Sequence, residues 1–357
     1  MKQTTSFLCL SLLLVSLGSH GGVTLTEAFS TTTTAATTKN NVLILDHLNI
    51  NHEKGRHDWV LGFYRDFLSC AIDPRKAENL DAQKGTLWMN IGANQLHLPQ
   101  ADEAQVLDGS MTLVYPDIED LLKRYIQVDQ SQVLKESKFS VQQTTGKELD
   151  VTDPWGTQFR VIEGDSSHRD SRGTQPGSTS LGYSMSDITI HTPMDCNLLG
   201  IQRFYEQVLG ASCIEVDDED CIQIAVGPLQ TLSFRRNPST TIDSHVDLRN
   251  TPKDDKDYDK VDSPCNFGPH VSMYVMDLPG AYARAAELGL TYVNRRFKRR
   301  AYNKEEAMKD CMFRCLDIVD PMNIEDGVIL RLEHEVRSVV KPDGTKYKSC
   351  PFDEIPK

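Results

Sequence analysis

The chain has 357 residues, with 51 acidic against 38 basic side chains and a formal net charge of -13 at pH 7. This length is sufficient for two ordinary domains or for several small repeated units. The negative charge disfavours nucleic acid and anionic membrane surfaces as main partners. A small-molecule ligand is therefore the expected partner, and the chain could act as a monomer or a homodimer.

The amino terminus predicts a targeting sequence in two parts. Residues 1–28 contain one lysine, then an apolar run from Phe7 to Leu17 that is too short to span a bilayer, and they are typical of a signal peptide. Residues 29–41 are rich in threonine and contain no acid, as transit segments are. The junction at Phe29 resembles the bipartite presequences of algae with red-lineage plastids. We expect import into a plastid by the secretory route, with secretion or an endomembrane lumen as the alternative. No membrane span is expected after processing.

The eight cysteines that follow the signal segment are scattered along the chain. They form no C-x-x-C pair of the kind that zinc or redox sites use. The sequence therefore predicts buried or free thiols in a reducing compartment.

Four segments repeat one order of predicted elements: a short β-branched strand, a helix of about three turns, then two or three strands. These four modules cover residues 42–99, 109–163, 185–237 and 268–335. A unit of this size cannot bury its sheet face alone, so we expect each module to pair with its neighbour in sequence.

The spacing of the modules predicts two domains, residues 42–165 and 185–336. The polar stretch 166–184 has the composition of a linker. Residues 238–265 are acidic and predict a loop inside the second domain, and residues 337–357 form a carboxyl-terminal tail.

The predicted helix of the third module illustrates the pattern. Apolar residues recur at intervals of three and four and form one stripe, which ends at Gly210, a suitable C-cap. The stripe consists of Leu198, Ile201, Phe204, Tyr205, Val208 and Leu209.

Several motifs in this order resemble those of the vicinal oxygen chelate superfamily, which includes glyoxalase I, extradiol dioxygenases and bleomycin-resistance proteins. The motifs are "FYRDFLS", "DPWGTQFRV", "RFYEQVLGA", "GPHVSMYVMD" and "EDGVILRLE". The resemblance implies an α+β fold in which four βαβββ modules pair into two curled mixed sheets. In that family each pair forms a cup, and the first and last strands of its modules supply the metal ligands.

Carried over to the first two modules, the resemblance implies a cup with His47 and His97 as metal ligands. The other two ligand positions hold Ser110 and Arg160. Arg160 cannot bind a metal, because a guanidinium is always charged and only donates hydrogen bonds.

The last two modules imply a second cup, whose positions hold Asp187, Ser233, His270 and Arg331. Side chains alternate along a strand, so Glu333 and Glu335 face the same way as Arg331. We therefore expect His270 and Glu333 as metal ligands here, and Asp187 could supply a second carboxylate. Otherwise Asp187 contacts the bound molecule, as we expect of Ser233 and of Ser110 in the first cup.

Two classes of function follow from the resemblance. The first is a lyase or dioxygenase in which a divalent metal (Zn, Ni, Fe or Mn) polarises an oxygen of a small oxygenated metabolite. The second is a metal-free binding protein that holds an anionic small molecule through Arg160 or Arg331, as bidentate donors. The metal and its absence are equally compatible with the residues, and the catalytic residues stay unassigned.

The segment 294–300, "NRRFKRR", is the strongest basic cluster of the chain. In an acidic chain this pattern predicts an exposed strand end rather than a nucleic-acid patch.

Overall fold

The computed structural model describes residues 40–82, 85–177, 180–250, 255–256 and 263–356. The predicted signal segment and almost all of the predicted transit segment lie outside the described residues, as do parts of the acidic loop. Among the described residues, no helix is both long and apolar enough to cross a membrane.

The described residues of the first two modules form ten strands and three α-helices. The strands are β1 (Val42–Asn49), β2 (His52–Glu53), β3 (Ala71–Ile72), β4 (Leu87–Ile91), β5 (Asn94–Leu98), β6 (Gln100–Ala101), β7 (Gly109–Tyr115), β8 (Ser140–Thr145), β9 (Glu148–Thr152) and β10 (Gln158–Glu163). The helices are α1 (His57–Val60), α2 (Ala77–Asp81) and α3 (Ile118–Ser131).

The last two modules contribute the remaining elements. The strands are β11 (Ser184–Thr192), β12 (Ser212–Ile214), β13 (Cys221–Gly227), β14 (Gln230–Arg236), β15 (Leu248–Arg249), β16 (Cys265–Asn266), β17 (His270–Val275), β18 (Thr291–Tyr292), β19 (Met312–Val319) and β20 (Val328–Ser338). The helices are α4 (Leu198–Arg203), α5 (Leu278–Glu287) and α6 (Lys304–Asp310).

The helices of the first and third modules both change from α to π winding. Helix α1 continues as the π-helical segment Leu61–Phe67, and α4 continues as Phe204–Leu209. The predicted apolar stripe of the third module is buried throughout. It ends at Gly210, whose φ of 73° is left-handed, as expected for a glycine C-cap.

The first sheet combines modules one and four. Its strand order is β18-β19-β20-β17-β1-β5-β4-β3. In each module the first and last strands run parallel, and the two modules meet through the antiparallel pair β1 and β17. Both of these strands are buried along their whole length, because they lie at the centre of the sheet with both faces covered.

The second sheet combines modules two and three in the same way. Its order is β12-β13-β14-β11-β7-β10-β9-β8, and the modules meet through the antiparallel pair β7 and β11. Gly109 is required at this junction, because a Cβ atom there would lie 1.9 Å from the carbonyl oxygen of Thr189. The α+β fold of βαβββ modules in two mixed sheets is confirmed.

The predicted membership of the two cups is wrong. Modules one and four share a sheet, and so do modules two and three. We expected module one to pair with module two, and module three with module four. The first strands of all four modules present similar hydrogen-bonding edges, so local patterns do not determine which edges meet. Both sheets therefore draw strands from both predicted domains, and the chain from Asn40 to Lys357 forms one unit.

The predicted linker and tail both pack against the rest of the chain. Gly173 bridges to Phe352, which is fully buried in a small apolar cluster with Tyr274 and Tyr347. The tail thereby covers one side of the first sheet. Among the described residues, free thiols are carried, as predicted, by Cys70, Cys196, Cys213, Cys221, Cys311, Cys315 and Cys350.

We predict that acid destabilises the fold partly through His334, a buried residue of β20 that contacts the hydroxyl of Tyr205 at 2.6 Å. Burial lowers the pKa of His334 from 6.5 to about 4. Between these values the unfolded chain binds a proton that the folded chain does not, so stability falls as the pH falls from 6.5 towards 4. The slope for one such group is about 1.4 kcal/mol per pH unit.

Urea unfolding in EDTA at several pH values measures this slope. His334→Gln should reduce it by roughly 1 kcal/mol per pH unit. A slope for this variant equal to that of the wild type would contradict the assignment.

Candidate functional site

A cavity of about 490 Å³ opens over the first sheet. It is lined by residues of β1, β5, β17, β19 and β20, and by the turn at residues 296–299. The centre of the cavity therefore lies where modules one and four meet.

The register of the sheet explains why three side chains converge there. Ser272 lies between His47 and Glu335 in one row across β1, β17 and β20. His270 lies two residues before Ser272, so it projects from the same face in the next row. Possible ligand atoms of His47, His270 and Glu335 all lie within 4.8 Å of one another.

His47 is fully buried, and its orientation is set by its neighbour Asp46. Its Nδ1 lies 2.8 Å from a carboxylate oxygen of Asp46, whereas Nε2 has no partner among the described residues. Burial, reinforced by Arg337, holds the pKa of His47 well below its usual value. The ring is therefore neutral at pH 7, with the proton on Nδ1 and a free electron pair on Nε2.

His270 is also buried and neutral. Burial lowers its pKa, and its Nδ1 has no described partner. Its Nε2 lies 3.6 Å from a carboxylate oxygen of Glu335, and its ring centroid lies 5.6 Å from that of His47.

Glu335 lies between two arginines. Arg314 and Arg337 each donate to one of its carboxylate oxygens at 2.5 Å. Burial by itself would raise the pKa of Glu335, but the two guanidiniums outweigh it and hold the pKa well below the usual value. Arg337 also approaches Asp46 at 3.4 Å and so links the two carboxylates.

The buried Asp46 titrates differently from Glu335. Burial raises its pKa to about 6, although Arg337 and a hydrogen bond from Gln175 oppose this shift. Gln175 belongs to the predicted linker, so that segment supports the orientation of His47 through Asp46.

His97 lies in the cavity but outside the three-residue group. Its ring stacks on that of His47 at 3.6 Å, and Trp88 stacks on it from the other side at 4.3 Å. Its Nε2 contacts the side-chain oxygen of Gln95 at 3.1 Å. Gln95, not His97, is the residue paired with His47 in β5.

Glu333 projects from the same face as Glu335, but its oxygens already have partners. It accepts hydrogen bonds from Arg314 at 2.5 Å, Asn294 at 2.8 Å and Asn266 at 2.9 Å. The structure thus brings together His47 and His270 from two different predicted cups, and it adds Glu335 rather than Glu333 or His97.

The second sheet holds the other predicted ligand-contacting residues. Asp187 accepts hydrogen bonds from Ser233 at 2.6 Å and from Thr231 at 2.5 Å. Ser110 lies on β7, opposite Thr189. Within the described parts of the chain, these residues belong to no group of possible metal ligands.

Neither predicted anion-binding arginine lines the cavity over the first sheet. Arg160 pairs with Glu148 at 2.7 Å on the second sheet, and just over half of its side chain is exposed. Arg331 pairs with Asp243 at 2.6 Å and with Asp317 at 3.1 Å.

Sequence reasoning did not assign several residues of the cavity to a site. The basic segment 294–300 is not a simple exposed strand end, since its residues 296–299 line the cavity. The alternation of charge in "EHEVR", which contains Glu335 and Arg337, was a second available signal. No local pattern marked Arg314 as a site residue, because it lies in a predicted strand that contains no motif.

Comparison with known proteins gives structural matches only. No protein-family model matches the sequence, and no curated protein is significantly similar to it. Solved structures that match include a candidate dioxygenase from Bacillus subtilis, with 11% identity over 84% of this chain and 86% of that chain and a TM-score of 0.48. Glyoxalase I from Zea mays matches with 13% identity over 83% and 92% and a TM-score of 0.45.

The cppA protein from Streptococcus pneumoniae TIGR4 matches with 12% identity over 84% of this chain and 100% of that chain, and a TM-score of 0.40. The pairing of the modules into two mixed sheets is the arrangement that the resemblance to the vicinal oxygen chelate superfamily implied. Such distant matches concern the fold alone, so function has to be argued from the side chains.

We predict that Arg337→Met destabilises the protein by about 3 kcal/mol or more, because it removes the cation nearest to the buried Asp46 and one of the two partners of Glu335. Arg160→Met is the matched control and should cost less than about 1 kcal/mol, because its ion pair is exposed to solvent. Urea unfolding at pH 7.5 measures both free energies. Equal losses would show that the buried ion pairs do not stabilise the site.

Proposed function

We propose that this protein is a metal-dependent enzyme of the glyoxalase and dioxygenase kind, acting on a small oxygenated metabolite. The observation that carries the proposal is the convergence of two neutral imidazoles and one carboxylate from His47, His270 and Glu335. Two histidines and one carboxylate are the ligand set of many non-haem iron oxygenases, and they also suit zinc and other divalent ions.

The donor atoms of these residues suit such an ion. Adjacent ligands of an octahedral or tetrahedral ion, each at about 2.1 Å from it, lie about 3.0–3.4 Å apart. The observed spread of 4.8 Å would therefore have to contract by about 1–2 Å when an ion binds. Nε2 of His47 is a buried acceptor without a described partner, as an unfilled ligand position requires.

The surrounding residues would orient this ligand set. Asp46 holds the proton of His47 on Nδ1 and so directs Nε2 at the cavity. Arg337 fixes Asp46 and Glu335 relative to each other. A bound ion would act as a Lewis acid that polarises a substrate oxygen.

His97 is the residue best placed to move a proton. Its contact with the oxygen of Gln95 assigns the ring proton to Nε2, because the amide nitrogen of Gln95 donates to Asp73 and Asn90. Nδ1 is then an acceptor with no hydrogen-bond partner among the described residues. We propose that it accepts a proton from the substrate as a weak general base, because burial and the neighbouring His47 hold the pKa of His97 well below its usual value.

A metal-free binding protein is the second candidate, and a specific observation favours it. Both oxygens of Glu335 are engaged by Arg314 and Arg337. Two guanidiniums would repel a divalent cation at the same carboxylate. In this candidate the ligand is an anion, but it would bind in the cavity over the first sheet rather than at Arg160 or Arg331.

Metal analysis of protein purified without chelators separates the two candidates. We expect one equivalent of Zn, Ni, Fe or Mn in the wild type and none in His47→Ala, His270→Ala or Glu335→Gln. Asp46→Asn should weaken the metal affinity by about 10- to 100-fold, because it removes the group that orients His47.

The matched control is His97→Gln, which should retain the metal, because His97 lies outside the ligand group. Circular dichroism verifies that each variant is folded. If the wild type contains no metal and none of the four added ions changes its melting temperature, the metal-dependent enzyme is rejected. The metal-free binding protein then remains as the candidate.

We also propose that the protein functions in a plastid. The predicted presequence supports this location, and so do the seven free thiols, which suit a reducing compartment. A fluorescent protein fused to residues 1–41 should enter the plastid of an alga with a red-lineage plastid. Deletion of residues 29–41 should divert the fusion away from the plastid. Secretion of the complete fusion would support the alternative location instead.

A further inference from the structure

The cavity over the first sheet has a charge opposite to that of the chain. Although acids outnumber bases by 51 to 38 overall, most of the charged residues that line the cavity are cations. The cationic lining residues are Arg75, Lys76, Arg296, Lys298, Arg299, Arg314 and Arg337, against the carboxylates of Asp46 and Glu335.

Three of these cations are neutralised by acids within the protein. The pairs are Arg75 with Asp73, Arg314 with Glu333 and Glu335, and Arg337 with Glu335 and Asp46. These pairs engage both carboxylates that line the cavity, Asp46 and Glu335, so neither forms an ion pair with the remaining cations.

The other four cations, here called the cationic rim, are Lys76, Arg296, Lys298 and Arg299. Within the described part of the chain, no rim residue forms an ion pair with a carboxylate. Three like charges within residues 296–299 repel one another unless an anion lies between them.

The contacts of the rim are with neutral groups. Arg296 donates to Asn51 at 2.9 Å, and burial lowers the pKa of its guanidinium. Arg299 lies over the ring of Tyr347 at 5.3 Å, and Lys76 lies over Trp88 at 5.0 Å. Such contacts hold the side chains in place without cancelling their charge.

We propose that the cationic rim binds a multiply charged anionic group of the substrate, either a phosphate ester or a pair of carboxylates. This inference deepens the proposed function and rests on it, because the oxygen-bearing end of the same molecule would reach His47, His270 and Glu335. The substrate would thus be held at two points, with its charge at the rim and its reacting oxygens at the centre of the sheet.

The shape of the site favours a small molecule over a macromolecule. A cavity of about 490 Å³ falls within the range of about 300–1,000 Å³ that is usual for small-molecule sites. A net charge of -13 would repel nucleic acid from the remaining surface.

Isothermal titration with inorganic phosphate and with succinate, at constant ionic strength in chloride, tests the proposal. At least one of the two anions should bind, and the stronger one indicates whether the substrate carries a phosphate or a carboxylate pair. The double variant Lys298→Gln, Arg299→Gln should weaken binding about tenfold or more, because two charged donors are lost.

The matched control is Lys147→Gln, Arg160→Gln, which removes the same charge from the second sheet and should leave the affinity unchanged. Each titration is repeated after chelation and dialysis, since phosphate can also bind a metal directly. The anion site would be rejected if neither phosphate nor succinate bound in the chloride buffer. It would also be rejected if the wild type and the rim variant bound the anion with equal affinity.

Metal content measured on the same samples keeps the two proposals distinguishable. A metal-free protein that binds phosphate or succinate through the rim would retain the anion site and reject the metal-dependent function. A metal-containing protein whose anion affinity does not depend on the rim would retain the metal-dependent function and reject the anion site.

Discussion

The antiparallel pairing of β1 with β17 is the constraint on which the site depends. It joins the first and fourth modules, and its register places His47 and His270 on one face in adjacent rows. The parallel neighbour β20 then adds Glu335 to the row of His47. A shift of this register by one residue would turn each side chain to the opposite face. The candidate site therefore requires both ends of the described chain to be folded and in register.

Buried charge is the second organising feature. Removing a carboxylate or a guanidinium from water is costly unless it is paired, and here Arg337 and Arg314 connect Asp46, Glu333 and Glu335 into one network. The same burial keeps the histidines neutral, which is the state in which an imidazole can bind a metal or accept a proton. The two arginines that hold Glu335 in place also compete with any cation for its oxygens, and this competition distinguishes the two proposed functions.

The two sheets share a topology and differ in their chemistry. In each of them, two modules meet through antiparallel first strands, and the last strand of each module lies parallel to its first. The first sheet has charged and imidazole side chains at its centre, whereas the second has Asp187 satisfied by the hydroxyls of Thr231 and Ser233.

The sequence by itself determined the order of the elements and the buried stripes of the helices, because these depend on local periodicity and on glycine conformation. The resemblance of its motifs to a known superfamily added the α+β fold and the positions of His47 and His270 on first strands. Only the tertiary structure decided which modules pair, because the first strands of all four modules have similar edges and local patterns do not specify which edges meet. It also decided between Glu333 and Glu335, which share a face by the alternation of side chains along β20. What separates them is the register across the sheet, which places Glu335 in the row of His47 and Glu333 opposite His270. Glu333 is also held by Asn266 and Asn294, distant residues that no local pattern brings together. The turn at residues 296–299 reaches the cavity for the same reason, because its position depends on the packing of strands far from it in sequence.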